Sequence, residues 1–577
     1  MAGHFIVCGF GDVGFRVAEL LHRLGEEVVA VTRDAREERL QMARDAGVRV
    51  LLGDARSEHL LHEAGLATAQ VLIAATNEDL VNIEIALDAR RSRPDLPLVV
   101  RLFDPSLARQ LEISFDLRRA LEISTLAAPS FAAAALGEAI LSSFTVDDTP
   151  FVVGRAVVDE GSPLHRLETL GRIARVYGLV ALACERPEGD CVPLPDRDSA
   201  VRPGDRLSLL ARKKDWDRLF APPSPPHLDK VPLWRRLGRS LARAREIWRD
   251  EPRPLRNVVL GLGVLIPLSV VLFHLTLGLP FVDAIFYTLI TLHGEIGFTP
   301  ESPGGKLHEI LVMILGAITV ATLYSMITDY LVASRLRKIL GEQKIPRAGH
   351  VVVVGLTSVG HQTIGELRQV GVPVVAVHSD ADGPLVAAAG AQAPVVIGDA
   401  RLPGILEKVA MAQARAVVSA YDDDAVNLGV GLAARRVNPD LRTVVRLFDA
   451  DFARKVETVL RVDAALSASR IAAPTFVASA LYPDVARAFI VRDHLFVLLN
   501  RPAGQEWADS KPSHLREEQG VQILIRGSEL PRTGVAAADE KPLAADEVVL
   551  AIVWRRVSPP WTESVPPAPA EAVVRAG

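Results

Sequence analysis

Two long apolar runs lie near the middle of the chain. They separate two halves whose hydropathy pattern differs from that of the runs. Residues 258–279 form a largely apolar run of 22 residues, enough for a helix to cross a bilayer. A second run, residues 310–327, spans 18 residues without a charge. Between the two runs, an amphiphilic helical stretch at residues 282–292 leads into a Gly/Pro-rich loop at residues 293–306. Because irregular backbone at membrane depth must be covered by protein or by a water-filled cavity, the pattern predicts a two-span α-helical membrane pore with a re-entrant loop, at residues 257–334.

On either side of this segment, short apolar strands alternate with helical stretches. In the first half, residues 5–8 and 28–31 read as strands with a helix between them, which predicts a doubly wound parallel sheet within residues 1–144. The first strand enters a turn of the GxGxxG type, in which glycines allow a pyrophosphate to approach the helix N-terminus. Its glycines are Gly9, Gly11 and Gly14. The alternative is a Rossmann-like fold without a ligand, which keeps these glycines for packing.

The residues that follow the second strand leave the identity of a nucleotide open. Thr32 stands where dinucleotide-binding folds carry the acid that binds the ribose. Asp34 is an alternative ribose ligand, and Arg33 would favour an additional phosphate. We therefore predict NAD or another adenine nucleotide as the cofactor of the first half.

The second half repeats the design of the first. Four separated blocks recur with a constant offset of 345 residues, so the sequence contains a duplication, with the second copy at residues 350–487. The blocks begin at Gly53 and Gly398, at Asn82 and Asn427, at Arg101 and Arg446, and at Ala127 and Ala472. In the second copy Thr357 replaces the middle glycine of the turn, and His378 follows the second strand. We therefore do not expect a dinucleotide there.

The remaining segments are predicted to be small lobes and linkers. Each copy is followed by a small α+β lobe, and the chain ends in a Pro/Ala-rich stretch that we expect to be disordered. The predicted segments are a lobe at 145–220, a linker with a basic juxtamembrane helix at 221–256, a linker at 335–349, a second lobe at 488–557 and a tail at 558–577.

Composition and charge narrow the possible partners and the compartment. The chain has 577 residues and a net charge of −5, and its basic residues are not massed in a soluble domain, so no nucleic-acid partner is predicted. Cys8, Cys184 and Cys191 form neither a CxxC pair nor a disulfide framework, and reduced packing residues are expected. Arginines cluster at residues 234–256, whereas the loop between the apolar runs offers little positive charge. Together with the two apolar runs, this bias predicts a protein embedded in the lipid bilayer of the plasma membrane, with both termini in the cytoplasm.

The central segment resembles the pore of two-helix potassium channels. Residues 283–292 resemble their pore helix, and residues 303–306 resemble the turn into their inner helix. The resemblance implies that Gly316 acts as the gating hinge of the inner helix. The alternative role of Gly316 is a close contact between helices, a common use of glycine in membranes.

The filter departs from that family. Potassium channels carry Thr-Val-Gly-Tyr-Gly, whose carbonyl oxygens replace the water shell of the ion. Here the corresponding loop is about two residues shorter and contains His293, Gly294, Glu295, Ile296 and Gly297. The resemblance therefore implies a pore for monovalent cations with weak potassium selectivity. Glu295 would attract cations as a ring of carboxylates or, alternatively, form a structural hydrogen bond.

The blocks of the first copy, taken together over residues 4–125, resemble the RCK (regulator of potassium conductance) or TrkA-N family of gating domains. The small lobes resemble the TrkA-C lobes that follow such domains. The resemblance implies that the glycine turn, Asp54 and Arg101 lie near the nucleotide. The alternatives are a turn residue that caps a helix for Asp54 and a surface ion pair for Arg101.

These features predict a ligand-gated cation channel and not an enzyme. Two spans cannot enclose a pore, so a homotetramer is expected, with eight RCK domains beneath the membrane. A NAD-linked oxidoreductase would require a substrate domain and a placed proton donor, and neither half offers them. A membrane-tethered regulatory subunit of a separate potassium transporter is the alternative function.

Overall fold

The computed structural model describes residues 3–115, 117–137, 140–146, 149–220, 253–292, 303–340, 345–448, 450–526 and 541–561. The chain divides into two units, which we describe separately. One comprises Met1–Ala221 with Lys344–Gly577, and the other is Pro222–Gln343. The predicted basic juxtamembrane helix, up to residue 252, and the predicted filter at residues 293–297 lie outside the described residues.

The first domain is the predicted doubly wound parallel sheet. Its strands are β1 (Phe5–Cys8), β2 (Val28–Thr32), β3 (Arg49–Leu52), β4 (Val71–Ala74), β5 (Leu98–Arg101) and β6 (Arg119–Leu121). Its helices are α1 (Asp12–Arg23), α2 (Glu37–Asp45), α3 (Glu58–Glu63), α4 (Asp79–Ser92), α5 (Pro105–Phe115) and α6 (Ile123–Leu136). The strands pair in parallel in the order β3-β2-β1-β4-β5-β6. The strand order reverses between β1 and β4, where open parallel sheets bind ligands at the carboxyl ends of their strands.

The first small lobe follows as an antiparallel sheet with strand order β10-β9-β11-β8-β7. Its first strand begins at residue 140, five residues before the predicted boundary. The strands are β7 (Ile140–Val146), β8 (Thr149–Val157), β9 (Val180–Glu185), β10 (Cys191–Pro193) and β11 (Arg206–Arg212), with helices α7 (Leu170–Tyr177) and α8 (Lys213–Phe220).

The second unit consists, as far as it is described, of α9 (Arg253–Leu277), α10 (Phe281–Leu292) and α11 (Pro303–Leu340). The two longer helices cover the two predicted apolar runs, and the short α10 matches the predicted amphiphilic stretch. Within the described part of the chain, no helix combines the length and the apolar character needed to cross a membrane.

The second domain repeats the sheet order of the first, as β14-β13-β12-β15-β16-β17. Its strands are β12 (Val351–Val354), β13 (Val374–His378), β14 (Val395–Ile397), β15 (Ala416–Ser419), β16 (Arg442–Arg446) and β17 (Ala464–Leu466). Its helices are α12 (Ser358–Gln369), α13 (Val386–Gly390), α14 (Pro403–Lys408), α15 (Asp424–Val437), α16 (Ala450–Val459) and α17 (Ala468–Leu481). The identical strand order confirms that both halves contain a Rossmann-like domain.

The second small lobe has strands in the order β18-β19-β21-β20, all antiparallel. They are β18 (Val485–Val491), β19 (His494–Pro502), β20 (Gln522–Arg526) and β21 (Val548–Arg556), with helices α18 (Gly504–Trp507) and α19 (Pro512–Gln519). Apolar side chains of both lobes, among them Phe151 and Phe496, belong to one buried cluster. The two lobes therefore share a core.

The two Rossmann-like domains exchange their last helices. Phe131 of α6 is buried among residues of the second domain, and Phe476 of α17 is buried in the cluster that contains β1 and α1 of the first. Cross-domain hydrogen bonds accompany this packing, since Arg118 donates to the carbonyl oxygen of Ala480 at 2.8 Å. A buried Phe contributes about 1.5–3 kcal/mol relative to an exposed one. Each domain therefore depends on the other for part of its core.

The start of the predicted disordered tail is packed instead. The Trp561 ring lies edge-on to Phe15 at 5.6 Å between centroids, and the backbone N–H of Ser558 donates to the carbonyl oxygen of Arg23 at 3.0 Å. Burial of the indole ring on α1 explains why residues 558–561 depart from the expectation, which rested on composition alone. Residues 562–577 of the tail lie outside the described part of the chain.

Candidate functional site

An open cleft of about 600 Å3 lies at the carboxyl ends of the strands of the first domain, where the strand order reverses between β1 and β4. Its volume is in the range of ligand pockets in proteins. Six of the residues predicted to bind the cofactor line it, namely Gly9, Gly11, Thr32, Arg33, Asp34 and Asp54. Gly14 and Arg101, also predicted, are absent from its wall.

The three glycines of the turn have different roles. Gly9 has φ +94°, and a Cβ there would lie 2.9 Å from the backbone nitrogen of Thr76. A Cβ at Gly14 would lie 1.8 Å from the carbonyl oxygen of Gly9, so Gly14 is required for packing α1 against the turn. A Cβ at Gly11 would have Nδ2 of Asn77, at 3.9 Å, as its nearest described atom outside the two adjoining residues. Gly11 therefore leaves space that the protein does not use for its own packing.

Gly11 is also the N-cap of α1, and among the described residues no side chain caps this helix end. The first-turn N–H groups of an α-helix have no intrahelical acceptor, and the helix dipole adds a partial positive charge there. An uncapped helix N-terminus beside a small residue is the arrangement that holds phosphate in dinucleotide-binding folds. This end of the cleft can accommodate a phosphate group.

The residues at the end of β2 divide between structure and cleft wall. The Thr32 hydroxyl accepts a hydrogen bond from the N–H of Phe10 at 3.3 Å and donates to the carbonyl oxygen of Asp34 at 2.7 Å. Thr32 thus ties the glycine turn to the end of β2. Arg33 lies 3.4 Å from a carboxylate oxygen of Glu78, and both side chains are more than half exposed. Such an exposed pair is weak, so the guanidinium of Arg33 can turn to a ligand.

Asp54 is held by a neighbouring arginine. Its carboxylate accepts hydrogen bonds from the backbone N–H of Arg56 at 3.0 Å and from the guanidinium of Arg56 at 2.7 Å. These hydrogen bonds lower the pKa of Asp54 to about 2. The carboxylate is therefore charged at neutral pH, and it is an acceptor at the wall of the cleft.

Arg101 does not line the cleft but contacts residues that do. Its guanidinium donates to the carbonyl oxygen of Thr76 at 3.1 Å and to Oδ1 of Asn77 at 2.7 Å, and it lies over the ring of Phe103. Burial lowers the pKa of Arg101 to about 10, which leaves it charged at neutral pH. Arg101 thus positions the Thr76–Asn77 loop, which lines the cleft. The surface ion pair considered for it is not its main interaction.

The cleft also contains basic residues that the sequence did not single out. Arg36 and Arg39, from the start of α2, line it together with Asp12. Arg39 is paired with the carboxylate of Asp12 at the first turn of α1. Their position at the start of a helix that follows β2 is the sequence signal that could have identified them, because this edge of a parallel sheet is where ligands bind.

In the second domain the corresponding turn keeps the glycines that packing requires, but a side chain of the protein occupies the space where a ligand would bind. A Cβ at Gly360 would lie 2.0 Å from the carbonyl oxygen of Gly355, as for the equivalent pair in the first domain. The hydroxyl of Thr357 caps α12 by accepting from the N–H of Gly360 and donates to the carbonyl oxygen of Ala420 at 2.7 Å. The N-terminus of α12 is therefore occupied by the protein itself.

Tyr421, which aligns with Thr76, extends this difference. Its ring stacks on His378 at 5.6 Å between centroids, and its hydroxyl accepts a hydrogen bond from the N–H of Ser379 at 3.0 Å. The sequence predicts that His378 follows the second strand, but His378 is the last residue of β13. The aromatic ring thus lies across the carboxyl ends of β13 and β15, where the first domain has its cleft.

In the three-helix unit, α10 is held at its middle and at its C-terminal end. In the middle, the hydroxyl of Tyr287 donates to the buried carboxylate of Glu309 at 2.8 Å, and the Tyr287 ring packs edge-on against Phe273 at 4.9 Å. At the C-terminal end, a Cβ at Gly316 would lie 2.7 Å from the carbonyl oxygen of Leu292. Gly316 is thus a close helix contact, which is the alternative that the sequence left open. The filter residues that follow α10 lie outside the described residues.

Comparison with known proteins agrees with this domain plan. A sequence model of the TrkA-N domain matches residues 5–116 and 351–468. Potassium channel protein 1 of Methanocaldococcus jannaschii is 24% identical over 220 residues, which are 37% of this chain and 65% of that relative. The voltage-gated potassium channel Kch of Escherichia coli is 28% identical over 182 residues, 30% of this chain and 44% of that relative.

A third relative is the glutathione-regulated potassium-efflux system protein KefC of an Enterobacter species, 33% identical over 115 residues, 20% of this chain and 17% of KefC. Among solved structures, the GsuK channel bound to NAD superimposes with a TM-score of 0.50 at 15% identity, covering 96% of this chain and 77% of that chain. This likeness shows the fold. The chain spans less than two thirds of the length of each of the three relatives.

The two segments that match the TrkA-N domain agree with the predicted duplication. Together with the potassium-channel relatives, they support a potassium-channel-like regulatory architecture.

Proposed function

We propose that this chain is the subunit of a cation channel of the potassium-channel-like class, and that an adenine nucleotide in the first TrkA-N domain regulates its opening. The observation that carries the proposal is the contrast between the two domains. The first keeps an open cleft at an uncapped helix N-terminus, and the second has this space filled by its own side chains. A duplicated fold that preserves ligand space in one copy alone fits one sensing domain and one structural partner.

The chemistry of the cleft fits an adenine nucleotide. The N-terminus of α1 and the arginines at the start of α2 would hold phosphates, and Asp34 offers an acceptor for a ribose hydroxyl. The structural neighbour GsuK was solved bound to NAD, which supports NAD as one of the adenine nucleotides that could bind here. The cleft contains Asp12, Asp34, Asp54 and Glu78 beside Arg33, Arg36 and Arg39, so it is not uniformly positive. A ligand with few phosphates fits this balance better than a triphosphate.

Residues 257–334 would form the pore. Support comes from the order of a long helix, a short helix and a long helix, and from the contact of Gly316 with the end of α10. Large apolar side chains on the outer faces of these helices, such as Leu268, Phe286 and Ile314, are exposed within one chain and would meet lipid or other subunits. The pore would lie in the plasma membrane, with both termini in the cytoplasm.

Four subunits would enclose the pore, since two spans per chain cannot. Their eight TrkA-N domains would form a ring beneath the membrane. The nucleotide must bind the open and closed arrangements of this ring with different affinity, because a ligand without that difference shifts no equilibrium. The proposal assigns no catalytic residue to the chain.

The shortened filter would conduct monovalent cations with weak preference for potassium. Potassium selectivity needs stacked rings of carbonyl oxygens, and a loop about two residues shorter loses at least one ring. Glu295 would contribute a ring of carboxylates in the tetramer.

The test is planar-bilayer recording from the purified full-length protein, with NAD and ADP added to the cytoplasmic side. We expect cation currents whose open probability changes with nucleotide, and a reversal potential near zero under bi-ionic potassium/sodium conditions. The Glu295→Gln channel should have a lower conductance. A protein that binds nucleotide but conducts no ions would instead support the regulatory subunit of a separate transporter. A strongly potassium-selective current would contradict the filter assignment.

A further inference from the structure

The two small lobes bring three potential metal ligands together at their junction. Cys191 begins β10 of the first lobe, while in the second lobe Asp493 lies in the turn after β18 and His494 begins β19. Their sulfur, carboxylate oxygen and imidazole nitrogen all lie within 4.8 Å of one another. Because Cys191 is far in sequence from the other two residues, the cluster is a product of the packing of the two lobes.

The imidazole of His494 provides independent evidence for a ligand. The residue is only 6% exposed, and its Nδ1 lies 2.9 Å from an oxygen of Asp493. Within the described residues, however, Nδ1 has no partner in hydrogen-bonding geometry. The buried nitrogen and the carboxylate oxygen are close but not hydrogen-bonded, which is the arrangement expected of two ligands of one cation. Leaving it without a partner would otherwise cost free energy.

The surrounding charges are mixed and nearly balanced. The carboxylate of Glu185 accepts from Arg492 at 2.6 Å through one oxygen, while its other oxygen is buried with no hydrogen-bond partner among the described residues. The second oxygen of Asp493 accepts from Arg556 at 3.1 Å. Both arginines are thus committed to carboxylates, and one oxygen of Asp493 remains for a metal. The His494 ring is held by edge-on packing against Trp554 at 5.0 Å.

We propose that Cys191, Asp493 and His494 form a binding site for Zn²⁺ or a similar divalent transition metal, which links the two lobes of one chain. Thiolate, imidazole and carboxylate are the ligands that Zn²⁺ takes in proteins, and three protein ligands leave the fourth position of a tetrahedron for water. Calcium and magnesium, in contrast, take oxygen ligands and do not suit a thiol. The half-exposed Asp493 gives the ion a route from solvent. This site is separate from the nucleotide cleft and does not depend on the proposed function.

The test uses Co²⁺ as a spectroscopic substitute for Zn²⁺ in the metal-free full-length protein. A cobalt–thiolate bond gives a near-ultraviolet charge-transfer absorption that imidazole and carboxylate ligands do not give. We expect this band to saturate at one Co²⁺ per chain, to disappear on addition of Zn²⁺ and to persist in excess Mg²⁺ or Ca²⁺. Zn²⁺ should also raise the thermal unfolding temperature, because it binds the folded state.

Cys191→Ala should abolish the band, and Asp493→Asn should weaken Co²⁺ binding by at least about 10-fold. Both residues are partly exposed, so these variants should fold. The matched controls are Cys184→Ala, which removes the other thiol of the same strand pair, and His514→Gln, which removes an exposed surface histidine. Both should keep the band. A wild-type protein without the band at saturating Co²⁺, or a band that survives Cys191→Ala, would overturn the proposal.

Discussion

The hydroxyl oxygen of Tyr421 lies 3.0 Å from the backbone nitrogen of Ser379, whose N–H donates to it across the carboxyl ends of two parallel strands. The equivalent position in the first domain is Thr76, whose hydroxyl donates to Asn82 at 2.7 Å and leaves the cleft open. The two copies therefore share a fold and differ in what fills the ligand space. One aromatic side chain accounts for much of this difference.

Restoring the first-domain residues should open a second nucleotide site. In the double variant Tyr421→Thr with Thr357→Gly, the aromatic ring and the capping hydroxyl are both removed. We expect the nucleotide stoichiometry measured by isothermal titration calorimetry to rise from one to two per chain. The control is the single variant Tyr421→Thr, which keeps the N-cap of α12 and should bind one. A double variant that folds and still binds one nucleotide would contradict this prediction, because residues other than these two would then block the second site.

The stability of the second glycine turn should depend on pH through His378. Its Nδ1 accepts a hydrogen bond from the N–H of Leu356 at 3.2 Å, which requires an unprotonated nitrogen. Burial lowers the pKa of His378, and Asp380 opposes this shift in part. Because the pKa is lower in the folded state, the unfolded state binds more protons as the pH falls through about 6.5. The free energy of unfolding should therefore decrease as the pH falls from about 7.5 through about 6.5.

The matched variant for this prediction is His378→Thr. It copies Thr32 of the first domain, whose hydroxyl accepts the equivalent hydrogen bond from Phe10. Thermal unfolding between these pH values should show a weaker pH dependence in the variant. Some dependence should remain, because burial also lowers the pKa of His361. An unchanged pH dependence would remove His378 from this role.

The exchanged helices should couple the unfolding of the two TrkA-N domains. Phe131 of α6 is fully buried against the second domain. Phe131→Ala should lower the free energy of unfolding by about 3–5 kcal/mol, since it removes a large side chain from a core. The control Ile113→Ala, on the exposed face of α5, should change it by less than about 0.5 kcal/mol. Hydrogen exchange should show loss of protection in both domains, whereas loss confined to one domain would contradict the coupling.

Gly316 should be a packing residue whose contact with α10 also restricts helix movement in the proposed pore. A Cβ would lie 2.7 Å from the carbonyl oxygen of Leu292, so Gly316→Ala forces α10 and α11 apart and should cost about 1–3 kcal/mol. Gly263→Ala on α9 is the control, because no described atom lies within 4 Å of its Cβ position. Thermal unfolding in detergent and open probability should change in Gly316→Ala alone, with ion selectivity unaffected. Equal stability of the two variants would argue against the close contact.

The sequence was sufficient for the sheet and the duplication. Buried parallel strands such as β12, with four consecutive valines, are read from the sequence because both faces of the strand are covered. The constant offset of the repeated blocks predicts the second domain without any information on its strand order. Both signals are patterns of residue types along the chain that need no knowledge of tertiary contacts, and this is why they could be read without the structure.

Features that depend on distant contacts could not be read in the same way. The exchange of α6 and α17 leaves no local pattern except that both helices are apolar on nearly all faces. Tyr421 fills the second cleft through a contact with a residue that is 42 positions away. The resemblance also implies that Gly14 and Arg101 lie near the nucleotide, whereas in the structure Gly14 packs against Gly9 and Arg101 supports the cleft from behind.

Nucleotide binding at Gly11 is the central step of the proposed regulation. The Gly11→Asp variant places a carboxylate where a phosphate would lie, and Asp is also a favourable N-cap, so α1 should remain stable. Thr357→Asp is the matched control, with the same charge at the N-cap of α12. Isothermal titration of the full-length protein with NAD and ADP should show binding to wild type and to Thr357→Asp and none to Gly11→Asp. Equal binding by all three proteins, or equal loss in both variants, would contradict the assignment of the sensor to the first domain.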